Sequence, residues 1–273
     1  MTYRVSNEEV KTFHQDGYLL VPNLFDDEEV NILLTTARAD AAMLDHARDI
    51  KDASGKKSKL ALWNHPGDDV FGLVGRCHRV VDTAEALLDD EVYHYHSKLS
   101  IKEPHVGGAW EWHQDYGYWY NFGCLFPDML SCMVALDPAT CENGCMQVLK
   151  GSHKAGRIEH GVEGEQSGAD KSRVAELEKV LELVYCEMSP GDALFFHGNT
   201  LHCSAPNESD DPRWVLISCY NARSNNPTKD DQHPKYTPID EVDDDAIKAH
   251  GIQSSDTSQQ YMETKLHDKS TTD

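Results

Sequence analysis

No run of roughly 18 apolar residues, the length a membrane span requires, occurs anywhere in the chain. The first residues, Met1-Thr2-Tyr3-Arg4-Val5-Ser6, lack the apolar stretch of a secretory signal, so a cytoplasmic protein is expected. Basic residues are scarce: 25 Lys and Arg stand against 47 Asp and Glu, a net charge of −22. Such a surface repels phosphate backbones and anionic lipid, which argues against nucleic acid and membranes as partners and suits a solubility-adapted or salt-adapted exterior. Any anionic ligand must then be met by locally placed Lys or Arg. Zinc-finger spacing is absent among the cysteines at 77, 124, 132, 141, 145, 186, 203 and 219; Cys141 and Cys145 merely bracket the turn Glu142-Asn143-Gly144. Free thiols, several of them buried, are the expectation. Internal repeats and linkers are also missing.

What remains is an ordinary globular balance, 39% hydrophobic and 26% charged, in 273 residues. That length suffices for one domain with its own core, and residues 1–273 are read as one unit. Ser6 followed by Asn7-Glu8-Glu9 starts a helix carrying Val10, Phe13 and His14, which Gly17 breaks. Tyr18-Leu19-Leu20-Val21 is a short strand before Pro22. Asp26-Asp27-Glu28-Glu29 opens a second helix with Val30, Leu33, Leu34 and Ala37 on its apolar face. Residues 45–60 read as a polar loop and 71–88 as a third helical stretch. Strand patterns follow over 92–102, 130–136, 145–149, 183–188, 193–197 and 214–220, with a helical insertion at 171–182. The acidic, polar tail after about residue 225 predicts loose packing or disorder. Helices first and many short strands afterwards predict a mainly β fold, a barrel or jelly roll with flanking helices.

The sharpest local feature is Trp112-His113-Gln114-Asp115. On a strand, residues two apart share a face, so His113 and Asp115 can offer an imidazole and a carboxylate to one ion. Two His nitrogens and one carboxylate on a single triangular face suit Fe(II) and leave positions open for ligands. The second His is expected at position 202, in Leu201-His202-Cys203-Ser204 after the turn at Gly198-Asn199; His197, at a strand end beside Phe195 and Phe196, is the alternative. Arg213 follows in Asp211-Pro212-Arg213-Trp214, where a guanidinium can grip a carboxylate through two parallel hydrogen bonds. His94-x-His96 also alternates onto one strand face and is a competing metal pair, although no matching Glu and third His follow. Tyr93 and Tyr95 favour a packing role for that strand.

Taken together these residues resemble the phytanoyl-CoA dioxygenase family of Fe(II)/2-oxoglutarate oxygenases. The matching blocks are Asp16-Gly17-Tyr18-Leu19-Leu20-Val21-Pro22, Trp112-His113-Gln114-Asp115, Glu142 through Lys154, Gly191 through Ser204, and Arg213 with Ile217-Ser218-Cys219-Tyr220, covering roughly residues 7–225. The resemblance implies a double-stranded β-helix of the cupin-like, jelly-roll kind. It implies His113, Asp115 and His202 as iron ligands, Arg213 on the distal carboxylate of 2-oxoglutarate, and Ser204 assisting it. Lys98 matches a position lining the co-substrate site, and Met133 falls where some members carry a Trp beside it. His153 reads as scaffold. The implied chemistry uses Fe(II), 2-oxoglutarate and O2, releases succinate and CO2, and hydroxylates a substrate; Asp115 argues against the halogenating variants, which lack that carboxylate.

Tyr116, Tyr118 and Trp119 follow the first two ligands and are expected at the substrate mouth, where aromatic walls can hold an ammonium. Lys98, Lys102, Arg157, His160 and Arg223 can meet an anion, Arg223 having the strand parity of Arg213. A small polar or zwitterionic molecule suits this mix, and the block 113–161 resembles bacterial hydroxylases that include those acting on 2-aminoethylphosphonate. The rival readings are a non-catalytic, metal-binding or ligand-sensing jelly roll and a zinc hydrolase.

Overall fold

The computed structural model describes residues 3–230, 232–253 and 261–262. Its strands are β1 (Tyr18–Val21), β2 (Arg48–Lys51), β3 (Lys57–Trp63), β4 (Val92–Lys102), β5 (Trp110–His113), β6 (Met129–Ala135), β7 (Met146–Leu149), β8 (His160–Glu163), β9 (Gln166–Ala169), β10 (Leu183–Cys186), β11 (Ala193–His197), β12 (His202–Ser204) and β13 (Arg213–Ala222). The helices are α1 (Asn7–Asp16), α2 (Asp27–Ala39), α3 (Ala41–His46), α4 (Val70–Arg76), α5 (His78–Leu88), α6 (Asp115–Trp119), α7 (Lys171–Glu178) and α8 (Ala246–His250). Both helices at the start are capped as their sequence requires: the Ser6 and Asp26 side chains accept from backbone N–H groups while Glu9 and Glu29 reach back. Gly17 closes α1 at φ +85, a left-handed conformation that glycine adopts without penalty.

Two antiparallel sheets face each other in the jelly-roll manner. The larger runs β1-β11-β6-β13-β4-β3-β2 and the smaller β10-β7-β12-β5, with β8-β9 as a separate hairpin. The outer face of the larger sheet buries Leu99, Ile101, Val134, Leu216 and Tyr220 against α1, α2, α4 and α5, which carry Phe13, Leu33, Phe71 and Val80. The inner face, with Met133, Val215, Ile217 and Cys219, looks toward the smaller sheet. The space between the sheets is where the site lies.

Three expectations need correction. The segment 45–60 is not a loop: β2 and β3 extend the larger sheet, and their inward Ile50, Leu60 and Leu62 wall the inter-sheet cavity. Lysines 51, 57 and 59 on the outward positions of this edge hide its alternation. The third helical stretch is two helices, because Cys77 turns extended between α4 and α5. The tail packs: Ile247 of α8 is fully buried in the helical core, and Val242 bridges to Cys77. Residues 254–260 and 263–273 of that tail lie outside the described residues. All eight cysteines are free, six of them buried, and no described helix is long and apolar enough to cross a membrane.

Candidate active site

β5 and β12 are neighbours with His113 and His202 in register, so their imidazoles meet with ring centroids 4.1 Å apart. Asp115 begins α6 immediately after β5 and is fully buried. One ligand atom from each of His113, Asp115 and His202 lies within 4.8 Å of the others, close enough for a single ion. Each imidazole donates Nδ1–H to a backbone carbonyl, His113 to Glu111 at 2.7 Å and His202 to Thr200 at 2.8 Å. That leaves both Nε2 lone pairs for the metal, the tautomer a metal-binding His needs. Burial lowers both imidazole pKa values, that of His113 to about 3, keeping them neutral.

Asp115 is held from two sides. Oδ2 accepts from Ser131 Oγ at 2.9 Å, and Oδ1 accepts from Tyr118 OH at 2.5 Å and Lys98 Nζ at 3.3 Å. Burial alone would raise its pKa, but Lys98, the two imidazoles and the Tyr118 hydrogen bond outweigh that and hold the carboxyl well below its ordinary value. Gln114, the residue between His113 and Asp115, points away and ties the site together. Its amide donates to the Gly156 and Asn199 carbonyls and accepts from Ile158 N–H.

A cavity of about 560 Å³ opens between the sheets, lined by His113, His202, Tyr118, Lys98, Ser204, Met133 and Arg213 among others. Arg213 is 3% exposed, its Nε has no hydrogen-bond partner, and no described acidic group pairs with it. Burial drags its pKa down to about 10, still high enough for the guanidinium to stay charged. A lone buried cation costs several kcal/mol unless an anion meets it, so this corner is built for a carboxylate. Beside it, Ser204 Oγ accepts from Lys102 Nζ at 2.7 Å. The residues present therefore fit both the metal and a dicarboxylate: three ligands at one point and an unpaired guanidinium on the wall of the same cavity.

The remaining candidates divide. Lys98 and Met133 line the cavity, Lys98 on the Asp115 side. Tyr118 lines it as well, but Tyr116 and Trp119 do not. α6 turns Tyr116 toward the Cys124 carbonyl and Trp119 against Tyr95 and His96. Arg223 is exposed and pairs with Glu91, because β13 ends at Ala222 and strand parity stops there. Arg157 is spent on the Gly117 carbonyl, Glu159 and the Tyr120 ring. His160 meets no anion: its Nδ1 bonds the Ile158 carbonyl, its Nε2 accepts from Gln114 N–H, and burial lowers its pKa to about 4. Gly117 makes room for that ring, since a Cβ there would lie 2.1 Å from it.

His94 and His96 do not share a face. β4 gains a residue at Tyr95 relative to β13, where Cys219 pairs His96 and Tyr220 pairs His94. The bulge sends His94 to the helical side, against Ser97 and Tyr220, and His96 into the cavity. His197 also points away, accepting from Asn199 N–H near Phe13 and His153. Three contributors carried no signal as site residues: Gln114, Ser131, and His233, whose ring stacks on Tyr95 at 4.6 Å and closes one side of the cavity.

The sequence signature of the phytanoyl-CoA dioxygenase family (PhyH) matches residues 13–215. The chain belongs to that family. As a member it is an Fe(II)- and 2-oxoglutarate-dependent dioxygenase that consumes O2. L-proline trans-4-hydroxylase of Streptomyces griseoviridis is 29% identical over 257 residues, 86% of this chain and 95% of that protein. Methylphosphonate hydroxylase of Gimesia maris is 33% identical over 144 residues, 53% of this chain and 51% of that protein. The crystal structure of EctD from S. alaskensis with 2-oxoglutarate and 5-hydroxyectoine is similar at a TM-score of 0.69 and 28% identity, covering 82% of this chain and 79% of that one. This phytanoyl-CoA dioxygenase family member shares their jelly roll.

Proposed function

We propose that this dioxygenase hydroxylates a small zwitterionic or otherwise polar molecule, with His113, Asp115 and His202 holding Fe(II) and Arg213 holding the distal carboxylate of 2-oxoglutarate. The observation that carries the reading is the buried, unpaired Arg213 guanidinium lining the same cavity as His113 and His202. Ser204 stands beside it as a second donor, its hydroxyl oriented by Lys102, and Met133 lines the same cavity. When bound, iron and 2-oxoglutarate activate O2 and deliver one oxygen atom to a C–H bond while the keto acid leaves as succinate and CO2. Ser131 and Tyr118 fix the Asp115 carboxylate, and the backbone carbonyls of Glu111 and Thr200 fix the two imidazoles.

A small substrate is supported by the cavity itself, since about 560 Å³ must hold the co-substrate as well. Alongside apolar Leu60, Leu62, Phe122 and Phe196, the lining includes imidazole and amide groups at His96, Asn121 and His233. The similar proteins named for L-proline and methylphosphonate, and the crystal holding 5-hydroxyectoine, concern molecules of that size and polarity. Residues 1–273 are read as one catalytic unit. The test is succinate formation by the Fe(II)-loaded protein over a panel of L-proline, ectoine, methylphosphonate, 2-aminoethylphosphonate and long acyl-CoA. Stimulation by a small polar member and a hydroxylated product support the reading; stimulation by acyl-CoA alone overturns it.

A further inference from the structure

Lys102 ends β4 in register with Arg213 at the start of β13, so two cationic side chains enter one corner from neighbouring strands. Lys102 is fully buried, and its ammonium meets only neutral acceptors: Ser204 Oγ at 2.7 Å, the Ser204 carbonyl at 3.4 Å and the Ala205 carbonyl. The ionisable groups that face it are Arg213, Cys203 of β12, Cys145 just before β7 and Asp52 between β2 and β3. Burial pushes both thiols up to about 12, so neither is an anion near neutrality. Asp52 spends Oδ1 on the Ser54 and Lys56 N–H groups and Oδ2 on the Ala109 N–H. An ammonium in a dry corner with a second cation and no anion holds its proton weakly. Burial first and the Arg213 charge second accordingly drive the Lys102 pKa well below its ordinary value.

The proton count of Lys102 decides where the Ser204 hydrogen goes. An ammonium has three N–H donors and no lone pair, so Ser204 Oγ accepts from it and must send its own O–H elsewhere. Ser204 lines the cavity alongside Arg213, whereas Lys102 does not. A neutral amine has two donors, enough for the two carbonyls, and a lone pair that takes the Ser204 hydrogen. The hydroxyl then turns its hydrogen away from the cavity.

We propose that Lys102 is a proton-dependent positioning residue for the co-substrate: only as an ammonium does it hold the Ser204 hydroxyl as a donor toward the carboxylate bound by Arg213. The inference rests on the reading of Arg213 as the anchor for 2-oxoglutarate. A carboxylate arriving at Arg213 adds the anion that the corner lacks, so Lys102 holds its proton more firmly in the complex than in the free protein. Wherever the pH lies between those two proton affinities, the complex carries one more proton than its separate parts. Binding then takes up a proton, and affinity falls as pH rises, by up to about tenfold per pH unit.

The experiment is anaerobic calorimetric titration of the Fe(II)-loaded full chain with 2-oxoglutarate, from about pH 6 to about pH 9, in pairs of buffers that differ in ionisation enthalpy. Arg213, with its pKa at about 10, keeps most of its charge over that range. The expected result is a binding heat that differs between buffers, reporting uptake of up to one proton per co-substrate, with affinity weakening over the same pH range. Lys102→Met is expected to bind more weakly and without that uptake. Lys102→Gln, which keeps a donor for the Ala205 carbonyl, supplies the same readout where the Lys102→Met protein does not fold. Tight wild-type binding with no proton uptake at any pH overturns the proposal, as does uptake in the variants equal to that of wild type. Arg213→Ala binding as tightly as wild type takes down the anchor reading, and this inference with it.

Discussion

Arg213 and Lys102 face each other in register across β13 and β4, and of the two cations only the lysine is satisfied. Lys102 donates to Ser204 Oγ and to the Ser204 and Ala205 carbonyls, and burial together with the Arg213 charge drives its pKa well down. Lys102 spends its donors on those three oxygens and stays off the cavity wall, whereas the Arg213 guanidinium lines it. A dicarboxylate end arriving there meets one permanent positive group and one hydroxyl already pointed.

Arg213→Ala is expected to weaken 2-oxoglutarate binding by roughly 30-fold to several thousand-fold, corresponding to about 2–5 kcal/mol for a desolvated charge pair. Arg213→Lys recovers only part, because an ammonium lacks the planar fork. Fe(II) affinity without co-substrate stays near wild type. A co-substrate titration that finds Arg213→Ala within about threefold of wild type, under 1 kcal/mol by the same arithmetic, moves the anchor elsewhere.

Alanine at His113, Asp115 or His202 is expected to abolish Fe(II) binding and succinate formation while circular dichroism stays native. His94→Ala and His197→Ala keep iron, since the Tyr95 bulge and the β11 end carry those rings away from the cavity. Metal content by elemental analysis distinguishes the two sets.

Ser131→Ala removes a donor from Asp115 Oδ2 without touching the cavity wall. Loss of such an outer contact lowers metal affinity by about 10-fold or more. The outcome to look for is a higher Fe(II) requirement with an unchanged rate at saturating iron; a fallen rate at saturation means the hydroxyl does something else.

Gln114→Leu leaves the Gly156 and Asn199 carbonyls and the Ile158 N–H without their partner. At about 1–3 kcal/mol for each of these unsatisfied buried groups, stability falls by at least about 3 kcal/mol. Urea unfolding measures it, and a midpoint equal to wild type rejects the bracing role.

Acid should destabilise the metal-free protein through its buried histidines. Burial lowers the pKa of both His94 and His197 to about 3. Between the unfolded value of about 6.5 and that limit, the unfolded chain binds more protons than the native one, so stability falls as pH falls. Two such groups give a slope of up to roughly 3 kcal/mol per pH unit. His197→Phe is expected to reduce the slope in a thermal-melting series from pH 7 to about 5; an unchanged slope assigns the acid sensitivity to other groups.

The clustering of His113, Asp115 and His202 was legible because it is local. His113 ends β5, Asp115 opens α6 two residues later instead of sharing the strand as expected, and His202 lies on the hydrogen-bonded neighbour of β5; Arg213 opens a strand marked by the continuous apolar run Trp214-Val215-Leu216-Ile217. The errors cluster where periodicity breaks. The extra residue at Tyr95 reverses the facing of His94 relative to His96, and nothing in Tyr93-His94-Tyr95-His96 marks it. Arg223 keeps the numerical parity of β13 but lies past its end. Tyr116 and Trp119 were placed by a loop that is in fact helical, and a helix turns its side chains by about 100° per residue rather than alternating them. Edge lysines masked β2 and β3, and an acidic composition concealed how firmly residues 232–250 are docked.

His233 comes from a stretch beyond the family-matched residues 13–215, yet its ring lies 4.6 Å from Tyr95 and 4.5 Å from Phe122 and forms part of the cavity wall. A chain trimmed at Asn225 would keep His113, Asp115, His202 and Arg213 while losing this wall. Opening the cavity to water in this way is expected to let succinate formation outrun hydroxylated product. The wall closed by His233 is thus expected to tie consumption of the keto acid to oxidation of the substrate.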